Sequence, residues 1–152
     1  MKKILLLIAT ALTASFLSPS AAQAVAPVNK SLFGGVAIKG YDPVAYFTQK
    51  KPVKGSKDHT TKWNGATWRF SSAANRDLFK ASPEKYAPQF GGYCAWAVSQ
   101  NSTANIDPSQ WTVVNGKLYL NYDSSVQKKW LANRDDFITK AEKNWPGLVD
   151  KK

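Results

Sequence analysis

The 152-residue chain has one cysteine (Cys94), one histidine (His59) and one methionine (Met1). A lone cysteine has no partner for an internal disulfide, so Cys94 is a buried inert thiol, an intermolecular partner or a reactive group. Without a Cys-x-x-Cys pair, disulfide exchange within the chain is excluded. One cysteine and one histidine cannot build a four-ligand zinc site. A soft-metal site needs thiolates, imidazoles or thioethers, which leaves any metal to carboxylates or a second chain. Gly-rich phosphate loops and Ser-His-Asp motifs are missing, and no enzymatic machinery is visible. Acidic residues are scarce, 10 against 21 basic. That balance favours an acidic protein, an anionic membrane surface or a polyanion as partner. No basic stretch is interleaved with aromatics, so nucleic acid is not expected. Nor does the N-terminal apolar run reach the roughly 20 residues of a spanning helix.

At the N-terminus, Lys2 and Lys3 precede the apolar run Ile4 to Leu12, and Ala22-Gln23-Ala24 offers small residues for cleavage. The pattern predicts a bacterial signal peptide over residues 1–24, cut after Ala24. The product is expected in the periplasm or secreted, with no transmembrane segment and no lipid-bearing cysteine near the cut. Removing 24 of the 152 residues leaves 128, the size of one domain with a real core. A composition that is 43 % hydrophobic and 12 % aromatic, with six tryptophans, excludes a disordered chain.

Residues 25–34 are expected as a flexible arm, 35–147 as the folded domain and 148–152 as a tail. Val36 to Lys39 reads as a short strand, and Pro43 as the start of a short helix through Phe47. Asn64-Gly65 and Asn115-Gly116 each predict a tight hairpin, pairing 60–63 with 67–70 and 111–114 with 117–120. Ser71 or Ser72 caps a helix through Phe79, and Asp123 caps another that turns Val126 and Trp130 inward. Pro83 opens a helical turn containing Tyr86. Residues 101–108 form a polar loop. Phe137, Ile138, Ala141 and Trp145 line a last helix, ended by Pro146-Gly147. Two antiparallel β-hairpins with three to four helices define a small α+β single domain.

Several segments carry a resemblance. They are Gly40-Tyr41-Asp42-Pro43-Val44-Ala45-Tyr46-Phe47, Phe70 to Phe79 with Pro83-Glu84-Lys85-Tyr86, Gly91-Gly92-Tyr93-Cys94-Ala95, Trp111-Thr112-Val113 and Leu118 to Asp123. In this order they resemble the YHS domain family, and within it an exported bacterial branch of YHS domain-containing (seleno)proteins. The similarity spans about Gly35 to Trp145. Metal-handling members of the family, including modules attached to copper- and heavy-metal-transporting ATPases, carry cysteines in Asp-Pro-Val-Cys and Phe-Cys-Ser-x-x-Cys. Here Ala45, Ser71 and Asn75 stand at those positions.

The position that holds selenocysteine in some members maps to Cys94, which implies an atom that reacts or binds a soft ion. The expectation is therefore a thiol-dependent redox or metal-ion-binding module centred on Cys94, the candidate redox thiol. Cys94 and His59 are the candidate ligands of a transition metal ion. Tyr41, Asp42, Tyr46, Tyr86, Tyr93 and Trp96 are candidates to line a ligand pocket. The alternative is a non-catalytic binding module that takes a small ligand or acidic partner through that pocket and the basic surface. An accessory role beside a membrane transporter is the third reading.

Overall fold

Both Asn-Gly pairs form tight turns in the computed structural model, which describes residues 24–149. Asn64 and Asn115 hold φ of 47° and 50°, each followed by a glycine that is also at positive φ, as the twist of a two-residue hairpin requires. Strands β1 (Ser56–Trp63) and β2 (Ala66–Phe70) pair antiparallel, as do β3 (Asp107–Val114) and β4 (Lys117–Asn121). The two hairpins are separate two-stranded sheets. Six α-helices accompany them: α1 (Ala45–Thr48), α2 (Ala73–Ala81), α3 (Pro83–Tyr86), α4 (Ala95–Ser99), α5 (Ser124–Ala132) and α6 (Arg134–Leu148). The fold is the expected small α+β domain, with six α-helices where three to four were expected.

Residue alternation decides how the core is divided. On β2, Ala66, Trp68 and Phe70 point inward, and Thr67 and Arg69 are half-buried on the other face. Strand β4 is buried on both faces. Leu118 and Leu120 join one cluster with Tyr46, Trp68, Phe70, Phe79 and Cys94. Tyr119 joins a second with Phe90, Val98, Trp130 and Ala141. A strand's side chains point alternately to its two faces, so β4 lies between two cores.

The capping expectations hold in detail. Ser72 Oγ accepts from the Asn75 amide at 3.1 Å at the start of α2, and Asp123 Oδ1 accepts from the Val126 amide at 2.8 Å at the start of α5.

Four segments differ from expectation. Val36 to Lys39 is no strand: after isolated bridges to Thr67 and Lys30, the chain turns through a 3-10 helix at Ile38–Gly40. Ala37 and Ile38 are both buried, and a strand cannot bury two successive side chains on one face. Residues 25–34 are no loose arm either. Val25 bridges Val149, Val28 is buried, and the Asn29 amide donates to the Gly91 carbonyl at 2.9 Å. Helix α4 at Ala95–Ser99 was not among the expected helices. Helix α6 runs through Pro146 and ends at Leu148, because a proline this close to the end leaves only two further residues in the helix. The expected signal peptide falls outside the described residues except for Ala24, and so do residues 150–152 of the expected tail.

Candidate functional site

The three positions where metal-handling YHS domains carry cysteine converge on one carboxylate. Asp42 precedes α1 and is 0 % exposed. Its Oδ1 accepts from the amides of Val44 (2.9 Å) and Ala45 (3.3 Å), which starts α1. Its Oδ2 accepts from the Ser71 amide (2.8 Å), the Ser71 hydroxyl (2.7 Å) and the Asn75 side-chain amide (2.7 Å). The Asn75 side-chain amide also reaches Ser71 Oγ at 3.4 Å. Ser71 follows β2 and Asn75 lies on α2, so one side chain ties three elements together. Sequence reasoning placed Asp42 in a ligand pocket; the structure makes it a buried acceptor for five hydrogen bonds.

These residues do not suit a soft metal. One carboxylate, one hydroxyl and one amide replace the thiolates, and the carboxylate is already occupied by protein donors. Among the described residues, no group of three or more His, Cys, Asp or Glu gathers as a metal site. His59 is half-buried on β1, in the irregular stretch between the Ser56 and Thr60 pairings.

Cys94 sits deep in the first core, 1 % exposed. Its Sγ donates to Asn121 Oδ1 at 3.5 Å, and its own amide donates to the Ala104 carbonyl. Asn121 is fully buried and heads a polar chain that sequence reasoning missed. Its Oδ1 also accepts from the Trp96 amide, and its Nδ2 donates to Gln127 Oε1 at 2.6 Å. Gln127 Nε2 in turn donates to the Trp111 carbonyl and to Thr112 Oγ1. Burial pushes the Cys94 thiol up, and backbone amides near the sulfur offset this only in part. A thiol held protonated in the interior is a poor nucleophile, so the expected reachable sulfur is not what the fold provides.

Two outcomes follow from this burial. Alkylation of Cys94 in the native protein at neutral pH is expected to be at least about 100-fold slower than in denaturant, since it must wait for opening of the core. A native rate equal to the denatured one, read by mass spectrometry, contradicts the burial. The second outcome concerns pH. The unfolded chain gives up its thiol proton first, so this group's contribution to stability is lost as pH rises above about 8.5.

Of the six residues proposed for a pocket, Tyr46 and Tyr86 belong to the first core and Tyr41 and Trp96 pack against it, with Tyr41 and Asp42 near Tyr46; Tyr93 packs on the second core. Tyr46 is buried against Trp111, with ring centroids 5.4 Å apart, and its hydroxyl donates to the Pro108 carbonyl at 2.8 Å. Desolvation raises its phenol well above the usual range. Tyr86 stands edge-on to Phe47, and Tyr93 leans on Trp145. Tyr41 and Trp96 lie beneath Lys54 and Lys129. These aromatics fill the cores and their margins. A cleft of about 220 Å³ does open elsewhere, walled by Trp63, Trp68, Pro88 and Trp145.

Charge is divided unevenly. Between residues 25 and 75 there are seven lysines and Arg69 against two acids, Asp42 and Asp58. The seven lysines are exposed, and among the described residues none of the eight cations is in an ion pair. The four ion pairs among the described residues all lie beyond residue 75.

Among the described residues, no helix is long and apolar enough to cross a membrane. No curated protein and no solved structure matches the chain. Residues 44–90 match the family model described as YHS domain. That span contains Ala45, Ser71 and Asn75 but stops short of Cys94. From α1 through the first hairpin to α3, the chain is thus similar to the YHS domain family.

Proposed function

We propose that this protein is an exported binding module, without a metal or reactive thiol of its own, that takes an anionic partner on its lysine-rich N-terminal half. The observation that carries this reading is the charge division: seven exposed lysines and Arg69, without an ion pair among the described residues, give residues 25–75 a net charge of +6 (8 − 2), against +3 (11 − 8) for the longer stretch 76–152. The occupied Asp42 carboxylate and the sealed Cys94 support it from the other side, because each removes a chemistry that the family resemblance implied. Export is supported by the Lys2-Lys3 start and the Ala22-Gln23-Ala24 sequence. N-terminal sequencing of protein from the periplasmic fraction is expected to begin at Val25.

Two variants with equal charge test the binding face. Replacing Lys50, Lys51 and Lys57 by Gln removes three charges from the basic half; replacing Lys80, Lys128 and Lys143 removes three from the other. The first triple variant is expected to elute from a sulfated polyanion column at clearly lower salt than the second, and both contrasts should shrink as salt screens the field. Equal elution means that only net charge matters, and the reading fails. Native metal at one equivalent per chain, found by elemental analysis of the untagged protein, would restore the metal-ion reading instead.

A further inference from the structure

The two most exposed large apolar side chains in the described residues are neighbours. Leu32 is 90 % exposed and Phe33 87 %, whereas Leu78, Tyr122 and Leu131 are about half-exposed, as single surface residues often are. The pair occupies the tip of a closed loop. The Ser31 amide donates to the Val36 carbonyl (2.9 Å), the Val36 amide to Ser31 Oγ (3.0 Å), and the Ser31 hydroxyl to the Phe33 carbonyl (2.7 Å). Lys30 and Ala37 pair antiparallel across its base. On either side of the loop, Val28, Ala37 and Ile38 are locked in the core. The loop therefore holds Leu32 and Phe33 in water, an unfavourable state for the isolated domain.

Lys30 and Lys39 lie at the base of this tip, and Lys54 reaches Lys39. Lys30 Nζ donates to the Gly65 carbonyl at 2.6 Å. Lys54 Nζ donates to the Lys39 carbonyl at 3.2 Å and lies 4.7 Å from the Tyr41 ring centre. Lys30 and Lys39 border one shallow depression with Ser31. The nearby carboxylate is Asp107, which feels Lys39 but is held chiefly by the amide and hydroxyl of Ser109. Protruding apolar residues with lysines on the adjoining segments match the layered chemistry of an anionic bilayer, with phosphates outside and acyl chains beneath. A protein partner would need a broad contact of about 800 Å² per side, and two residues at a convex tip do not supply its core.

We propose that the loop of residues 31–35 is a membrane-docking tip. Leu32 and Phe33 enter the boundary between head groups and acyl chains of an anionic bilayer, and Lys30, Lys39 and Lys54 meet the lipid phosphates. This deepens the anionic-partner reading and rests on it.

Co-sedimentation of the protein with vesicles tests the proposal. Binding is expected to phosphatidylglycerol-containing vesicles and not to pure phosphatidylcholine. The Leu32→Ser, Phe33→Ser double variant should lower vesicle binding roughly tenfold or more while keeping its elution from the sulfated polyanion column. Replacing Lys30, Lys39 and Lys54 singly by Gln should lower it roughly fivefold each. Vesicle binding unchanged in the double variant overturns the docking tip and leaves the basic-face reading standing. Loss of polyanion retention in the unaltered protein overturns both. Self-association that disappears in the double variant, with no vesicle binding, also overturns the proposal and assigns the tip to a second copy of the chain.

Discussion

Replacing Asp42 by Asn is expected to destabilise the domain by about 3–5 kcal/mol, the usual cost of leaving buried polar partners unmatched. The two side chains have the same shape, so packing is not at issue. Asn offers one accepting oxygen where Asp offers two. Whichever way the amide is turned, its NH₂ faces either the Val44 and Ala45 amides or the three donors from Ser71 and Asn75. For a domain of this size the loss corresponds to a fall in Tm of roughly 10–20 °C. Asn75→Ala removes a single donor and should cost about 1–2 kcal/mol. Denaturant unfolding measures both. A loss below about 1 kcal/mol for Asp42→Asn would mean that water replaces these bonds readily. Asp42 would then be free for the ligand role that its place in the sequence suggests.

The second large effect is at Gly91. This residue has φ of +60°, and a Cβ there would lie 2.0 Å from the Pro27 carbonyl oxygen and 2.9 Å from its carbon. Backbone cannot yield as a flexible side chain can, so Gly91→Ala must push the segment around Pro27 away. The bond from the Asn29 amide to the Gly91 carbonyl goes with it, and Val28 leaves the core. A loss of about 3 kcal/mol or more is expected, combining backbone strain with the vacated core position. Gly116→Ala is the control. Gly116 shares the positive φ, at +73°, but nothing lies within 4 Å of its added Cβ, so only strain of about 1 kcal/mol remains. Limited proteolysis should cut Gly91→Ala near residues 25–30 and spare the control. Equal stability of the two variants would show that the close approach contributes nothing.

How far the fold could be read depended on whether the governing signal was local. The hairpins were legible because Asn-Gly requires a particular backbone, whatever surrounds it. The helix caps at Ser72 and Asp123 were legible for the same reason. The docking of residues 25–30 was not, since it depends on Gly91 lying more than sixty residues away. Gly91-Gly92 signals an unusual backbone, but nothing near it in sequence says that the segment around Pro27 packs against Gly91. At the site, the substitution of Ala45, Ser71 and Asn75 for cysteine was plain from the sequence, and the structure adds what replaced the metal-type chemistry. The aromatics near Cys94 could be core or pocket on spacing alone, and only packing decided for core. Leu32 and Phe33 escaped notice because an apolar pair in sequence is ordinarily buried, and nothing local marks one that is held outward.

The bridge between Val25 and Val149 has an engineering consequence. Val25 and Val149 lie side by side in a parallel bridge, so the two ends of the described chain are close neighbours and the domain can be spliced into a surface loop of a host protein through short junctions. The same closure makes a rearranged version feasible, with the old ends joined by a few glycines and new ends opened at the Asn115-Gly116 turn.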